Sequence, residues 1–535
     1  HTDTGLTLVV RATGDTPAPR PPKVSVVVPT HEAAPESLRE TLDSLTAQTL
    51  PAHDIDVVLV GDGDGEVLPA SDAASRNAGI DAATGQYVLF MEPGDRLAPD
   101  ALRRMYDYGM EHDSDIVVGK LAGKDRALPR ELFVRDRPRA TLAKDPLADS
   151  LTANKLFDRA FLTEHALRFP EDRHPLSEQL FTAQAYLRAG HASVLGSQVC
   201  YHYGPKRPAA PVPAAEFYAA LPALLGTADT LAGPGAARDR LHRRWLRVEV
   251  LDRIGGKQFL ELDEEARTEL LHEIREALSG RVSETAVAGL PVSRRVAVGL
   301  IEDGDQDSLV RLIEWENSIA CRPTLTELSW QDDGTMHIAF GAQLHAADGP
   351  VGVTTDDGDD GDRHVLTPTG LPRPLLDRFA AEPLTGGASP DKASVVLVLR
   401  ERSSGAEYRM VTESTVVRGN GGLRVTGSTG LDPARAVAGS PLGQGVWDLS
   451  VRLNALGWTK STRLGKVRAP EVPAQLTAVA HPTERTLRIT PYWTNPHRDL
   501  SLRVEVPEPP KPAAAAPRPR GSRLLGRVAR IVRKR

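Results

Sequence analysis

Four of the six residues from Val24 to Pro29 are valine, and Pro29 stops the run, the pattern of a strand buried on both faces. Leu38, Leu42 and Leu45 then recur at helical spacing, and Val57-Val58-Leu59-Val60 forms a second apolar run that ends in Gly61-Asp62-Gly63-Asp64-Gly65. Residues 76–83 predict another helix, 87–90 a strand, 99–111 a helix with proline in its first turn, and 116–119 a strand. Alternation of this kind predicts a mainly parallel sheet covered by helices, with ligands at the carboxyl ends of the strands, where the acidic turns sit.

The period changes twice further on. Residues 217–231, 237–254, 264–278 and 308–318 are helical in pattern, whereas 336–340, 393–399, 446–453, 487–490 and 500–506 alternate with period two between turns. The expected organisation is a flexible Thr- and Pro-rich extension over 1–22, an α/β domain over 23–210, a helical linker domain over 211–322, one or two antiparallel β-sandwiches over 323–510, and a Pro/Ala linker with a basic tail over 511–535. The acidic loop 356–362 lacks the ligand spacing of an EF-hand. Trp447 and Trp458 are expected in the core of the β region rather than stacked on sugars.

Composition narrows the classes. With 535 residues, 25% of them charged and 40% hydrophobic, the chain requires several cores, and a net charge of -6 gives no signature of a nucleic-acid partner. Cys200 and Cys321 stand far apart without CxxC spacing, so neither a disulfide framework nor a zinc site is expected, and a reducing cytoplasm fits best. No apolar run approaches the ~18 residues of a membrane span. The tail carries Arg523, Arg527, Arg530, Arg533, Lys534 and Arg535 without an acid, with Leu524, Leu525, Val528, Ile531 and Val532 on one helical face. Such a helix suits an anionic membrane surface, which would place the protein peripherally at the inner face of the plasma membrane; a solvated tail is the alternative. A homo-oligomer is left open.

Glu92 and Asp95 follow an inner strand, in Phe90-Met91-Glu92-Pro93-Gly94-Asp95, where carboxylates either hold a divalent ion or cap the next helix. Arg76-Asn77 opens a helix, Leu176-Ser177-Glu178-Gln179 opens another, and His202 lies between Tyr201 and Tyr203. Each has a structural alternative: a cap and surface charge, a solvated acid, a hydrogen-bonded histidine.

In combination, Val24 to Thr30, Leu42-Asp43-Ser44-Leu45 with Gln48-Thr49-Leu50, Val60 to Asp64, Arg76 to Asp81 and Phe90 to Asp95 resemble glycosyltransferase family 2, in order and register over about a hundred residues. The resemblance implies a GT-A (Rossmann-like) catalytic domain that uses a UDP-sugar and Mg2+ or Mn2+. It implies that Pro29, Thr30 and Asp62 hold the base and ribose, that Arg76 and Asn77 line the donor site, and that Glu92 and Asp95 bind the metal. It further implies that Glu178 is the base of an inverting transfer, with His202 and Arg207 facing the diphosphate. The helical and β-rich downstream regions look like those of bacterial wall teichoic acid glycosyltransferases and their actinobacterial relatives, which implies a polymer or lipid-linked acceptor.

Four departures from the family pattern accompany these matches. Gly61 replaces the first of two aspartates, Gly94 replaces a metal-site aspartate, Ser177-Glu178 replaces Glu-Asp, and the interval from Asp64 to Arg76 is short. They raise the alternative of a catalytically weakened paralogue that binds or scaffolds in wall-polymer assembly.

Overall fold

The computed structural model describes residues 7–11, 21–30, 33–62, 72–124, 126–171, 175–205, 212–358, 361–419, 422–473, 479–481 and 487–506. The N-terminal sheet contains β1 (Thr7–Arg11), β2 (Val24–Pro29), β3 (Ile55–Asp62), β4 (Tyr87–Phe90), β5 (Arg96–Leu97), β6 (Ile116–Ala122), β7 (Arg137–Ala140), β8 (Leu156–Asp158) and β9 (Ala192–His202). Their order is β1-β3-β2-β4-β8-β6-β9-β5, with β7 also beside β9. Five helices accompany the sheet: α1 (Pro35–Thr46), α2 (Asp72–Ala82), α3 (Ala101–His112), α4 (Arg159–Glu164) and α5 (Ser177–Arg188).

The valine-rich β2 is buried along its whole length because parallel neighbours flank it on both sides, β3 and β4. The sheet is nevertheless mixed. Short β8 lies between β4 and β6 and runs against both, while β6 and β9 are parallel. Residues 7–11, expected to lie in a flexible extension, form the edge strand β1, antiparallel to β3. Beneath the carboxyl ends of the strands, Phe90, Phe157, Phe169 and Phe181 form one aromatic cluster, with Phe169 and Phe181 stacked at 3.9 Å. This cluster ties β4, β8, the segment before α5, and α5 into one rigid floor.

Helices run from Ala214–Ala232 through Gln306–Ser318. Several start on side-chain caps: Asp263 accepts from the Ala266 amide, Ser283 from Ala286 and Asp305 from Ser308. Where 237–254 predicted one helix, the helix Ala236–Trp245 passes into a π-helical turn, Leu246–Leu251, that carries buried Glu249. Glu249 is satisfied by Arg244 at 3.1 Å and Arg253 at 3.2 Å, and it accepts from Gln179 at 2.9 Å. Trp245 donates to Gln179 Oε1 at 3.1 Å. The helical region therefore grips α5 at the residue after Glu178.

Among the described residues, the C-terminal strands form a five-stranded and a seven-stranded antiparallel sheet, with a separate hairpin Gly352–Gly358/Gly361–Thr367. The acidic 356–362 stretch belongs to this hairpin, and its residues 359 and 360 lie outside the described residues. Trp447 and Trp458 are buried; Trp458 packs edge-on against Trp315 of the last linker helix, and Trp447 donates to Gly443 O. Cys200 and Cys321 are both free and buried, and burial raises each thiol to about 11. No helix among the described residues is long and apolar enough to cross a membrane. The basic tail lies outside the described residues.

Candidate active site

After β4 the chain makes a tight turn, Glu92-Pro93-Gly94-Asp95, closed by the Asp95 amide on Glu92 O at 3.0 Å. Pro93 fits the second position and Gly94, with φ at +95°, the third, which is the signature of a type II turn. Helix α1 supports it: the Gly94 amide donates to Ser37 O and Thr41 Oγ1, both at 2.9 Å, and Thr41 donates to Asp95 O at 2.8 Å. Gly94 thus meets a backbone requirement at the position where the family pattern has an aspartate.

The turn opens on a pocket of about 530 Å3 that brings together Arg76, Glu92, Asp95, Arg126, Asn154, Glu178, Tyr201 and Tyr203. Glu92 is 43% exposed and accepts from Arg76 at 2.7 Å. The Arg76 guanidinium lies 5.3 Å from the centre of the Phe169 ring, so the aromatic floor backs the cation. Asp95 is buried, with its carboxylate taking the Tyr201 hydroxyl and the Gly204 amide. Burial raises its pKa, and the neighbouring Glu92 charge adds to this; the hydrogen bonds from Tyr201 and Gly204 act the other way.

Glu178 enters from the first turn of α5, held by the Ala153 amide at 2.7 Å. The 152–155 turn behind it is braced by Lys155, fully buried, whose ammonium donates to Thr152 O. Burial pulls Lys155 down to about 7, with the Glu178 charge opposing the fall. Asn154 donates to the Tyr203 hydroxyl at 3.0 Å, closing that wall.

Other expected site residues fall elsewhere. Asn77 lies behind the pocket: its amide donates to Phe169 O and Glu171 and accepts from the Phe169 amide, all at 2.9 Å, which makes it a brace for the floor. His202, expected at the diphosphate, instead lines a separate cavity with Glu401, Ser404 and Trp447 of the β region. The reason is strand geometry. Successive residues of β9 face opposite ways, so with Tyr201 turned toward Asp95, His202 faces away. Burial, then the nearby Arg96 charge, lowers its pKa. Pro29 is buried at the end of β2, and Thr30 continues the pairing through its amide on Val60 O at 2.7 Å. Asp62 ends β3 and its side chain is outside the described residues, as is Arg207.

Four of the pocket residues named above had not been expected: Arg126, Asn154, Tyr201 and Tyr203. Tyr201 could have been found from period-two alternation with Tyr203 at the end of an apolar strand. Arg126, in the loop after β6, carries no sequence signal. Its guanidinium packs 5.1 Å from the centre of the Tyr203 ring and donates to Gly204 O at 3.3 Å, and among the described residues it has no carboxylate within ion-pair distance.

A glycosyl transferase family 2 model matches residues 72–155, a glycosyl transferase TarS linker domain model matches 214–313, and a TarS beta-glycosyltransferase C-terminal domain 1 model matches 385–504. Residues 72–155 are thus similar to glycosyl transferase family 2, and residues 214–313 and 385–504 to the linker and first C-terminal domain of TarS, in that order along the chain. Over 227 residues the chain is 31% identical to the poly(ribitol-phosphate) beta-glucosyltransferase of Bacillus spizizenii, covering 37% of this chain and 36% of that protein. Over 207 residues it is 30% identical to the poly(ribitol-phosphate) beta-N-acetylglucosaminyltransferase TarS of Staphylococcus aureus, covering 35% and 36%. These alignments span little more than a third of either relative. The crystal structure of S. aureus TarS matches with a TM-score of 0.50 at 18% identity, over 91% of this chain and 86% of that one, a likeness of fold.

Proposed function

We propose that the protein transfers a sugar from a UDP-sugar to a hydroxyl of a teichoic-acid-like wall polymer or its lipid-linked precursor, with inversion. The observation that carries this reading is the single pocket joining Glu92, Asp95, Arg76, Arg126 and Glu178. Its volume suits a nucleotide sugar, since such sites span roughly 300–1,000 Å3. The named activities of the relatives supply the polymer.

The roles follow from charge. A departing diphosphate requires positive charge at its oxygens, and Arg76 and Arg126, which both line the pocket, would provide it. Glu178, held by the Ala153 amide, accepts the proton of the incoming hydroxyl. Asn77 and Tyr201 position rather than react. The described lining has two arginines against Glu92, Asp95 and Glu178, so a diphosphate would enter a pocket already rich in negative charge. The mutual repulsion of Glu92 and Asp95 fits a cation between them and the phosphates, the arrangement in which Mg2+ is held by one or two carboxylates plus substrate oxygens. Glu92 and Asp95 would hold it, and when bound it would neutralise charge on the leaving diphosphate.

UDP release with UDP-glucose or UDP-N-acetylglucosamine and a poly(ribitol phosphate) acceptor tests the activity. Glu178→Gln should abolish turnover while leaving UDP binding intact, and normal turnover in that variant would remove Glu178 from the mechanism. The binding-only alternative draws on the engagement of both Asp95 oxygens by Tyr201 and Gly204, and it predicts no UDP release with any donor. For membrane association, the expectation is that deleting residues 521–535 reduces partition onto anionic vesicles.

A further inference from the structure

The loop that carries Arg126 is fastened to the C-terminal β region on both sides of that residue. Strand Ser394–Glu401 returns through a short turn to strand Glu407–Arg409. Glu401 organises the turn, accepting from the amides of Ser403 and Ser404 and from the Ser403 hydroxyl. Gly405, at φ +74°, lies so close to the catalytic domain that an added Cβ would stand 2.7 Å from Gly123 O and 3.2 Å from Lys124 N. On the other side of Arg126, Glu407 takes Arg130 in a two-pronged contact at 2.6 and 3.1 Å, and Arg409 donates to Glu131 at 2.8 Å. Arg452 braces Glu407 at 2.9 Å. Burial opposes ionisation of Glu407, yet Arg130 and Arg452 together hold it below the usual carboxylate range.

The Tyr203 ring and Gly204 O hold the Arg126 side chain locally, and a diphosphate-facing cation is effective only when the backbone that carries it is preorganised as well. We propose that the β-region hairpin over 394–409 sets the position of Arg126, with Glu407 as a positioning residue that acts on donor binding through Arg130 and the segment 126–131. This rests on the assignment of Arg126 to the diphosphate. It gives the C-terminal β region a part in donor recognition, in addition to any part in acceptor binding or assembly.

A double-mutant cycle on the full chain tests it, with UDP affinity measured by calorimetry and donor KM and kcat by UDP release. Glu407→Gln should weaken UDP binding and raise donor KM about three- to tenfold, within the range expected for coupling through packed contacts, with kcat at saturating donor unchanged. In an Arg126→Ala background the same change should have no further effect on UDP affinity. Arg130→Gln should behave alike, which guards against a folding defect peculiar to Glu407→Gln. A purely structural contact would lower the melting temperature in both backgrounds and leave UDP affinity untouched. Additive losses, or full UDP affinity in folded Glu407→Gln and Arg130→Gln while Arg126→Ala binds weakly, would overturn the coupling alone. Unchanged UDP affinity in Arg126→Ala would overturn the assignment of Arg126 and the coupling with it.

Discussion

Replacing Lys155 with methionine should convert a pH-sensitive fold into a less sensitive one. Lys155 is fully buried, with its ammonium on Thr152 O and 5.9 Å from the centre of the Tyr186 ring, and burial takes it from an ordinary value of 10.5 to about 7. Its folded pKa is depressed, so between about pH 7 and pH 10.5 the unfolded chain holds a proton that the folded chain lacks. Stability must therefore rise with pH across that window. Below it both states are charged and the fold carries the whole penalty, a fall of about 3.5 at ~1.4 kcal/mol each, or ~5 kcal/mol. By about pH 9.5 only ~1.4 kcal/mol remains, so this residue contributes about 3 kcal/mol of stability between pH 6.5 and pH 9.5. Lys155→Met preserves the volume and removes that slope, while stranding Thr152 O at a cost of about 1–2 kcal/mol. Urea unfolding followed by circular dichroism should show the variant gaining on the native protein by about 3 kcal/mol more at pH 6.5 than at pH 9.5. Equal pH slopes in the two proteins would refute the reasoning.

Gly94→Asp would restore the family's usual carboxylate, yet φ at +95° should cost about 1–2 kcal/mol and leave metal-dependent UDP binding no stronger; a thermal-shift titration with Mn2+ reads both. Glu92→Gln should abolish the extra stabilisation that Mn2+ gives in the presence of UDP while leaving the metal-free UDP shift in place, since Arg76 and Arg126 remain. Asn77→Ala removes the brace of Phe169 and should lower stability by about 2–4 kcal/mol, visible as a reduced melting temperature.

Much of the fold could be read directly along the chain. Residues 87–90 and 264–278 match their elements because the first is apolar and buried throughout and the second repeats its buried positions Leu271, Ile274 and Ala277 at helical spacing. Strand β8 was not legible. Three residues beginning at Leu156 make no period, and their place between β4 and β6 depends on partners far away in the sequence. Strand β9 was hidden because Gly196-Ser197-Gln198 interrupt its alternation, and this concealed which way His202 would face.

The site divides in the same manner. By itself the sequence determined the Glu92 to Asp95 turn and the helix start that carries Glu178, because each is a local pattern tied to the end of an element; Arg76, expected to open a helix, instead lies one turn inside α2, which begins at Asp72. Only the tertiary structure decided that Tyr201 and Gly204 occupy Asp95, that Asn77 braces the floor, that His202 belongs to another cavity, and that Arg126 faces the pocket. Those outcomes depend on strand pairing and on contacts across hundreds of residues, such as Arg130 with Glu407, where distance in sequence carries no information about distance in space.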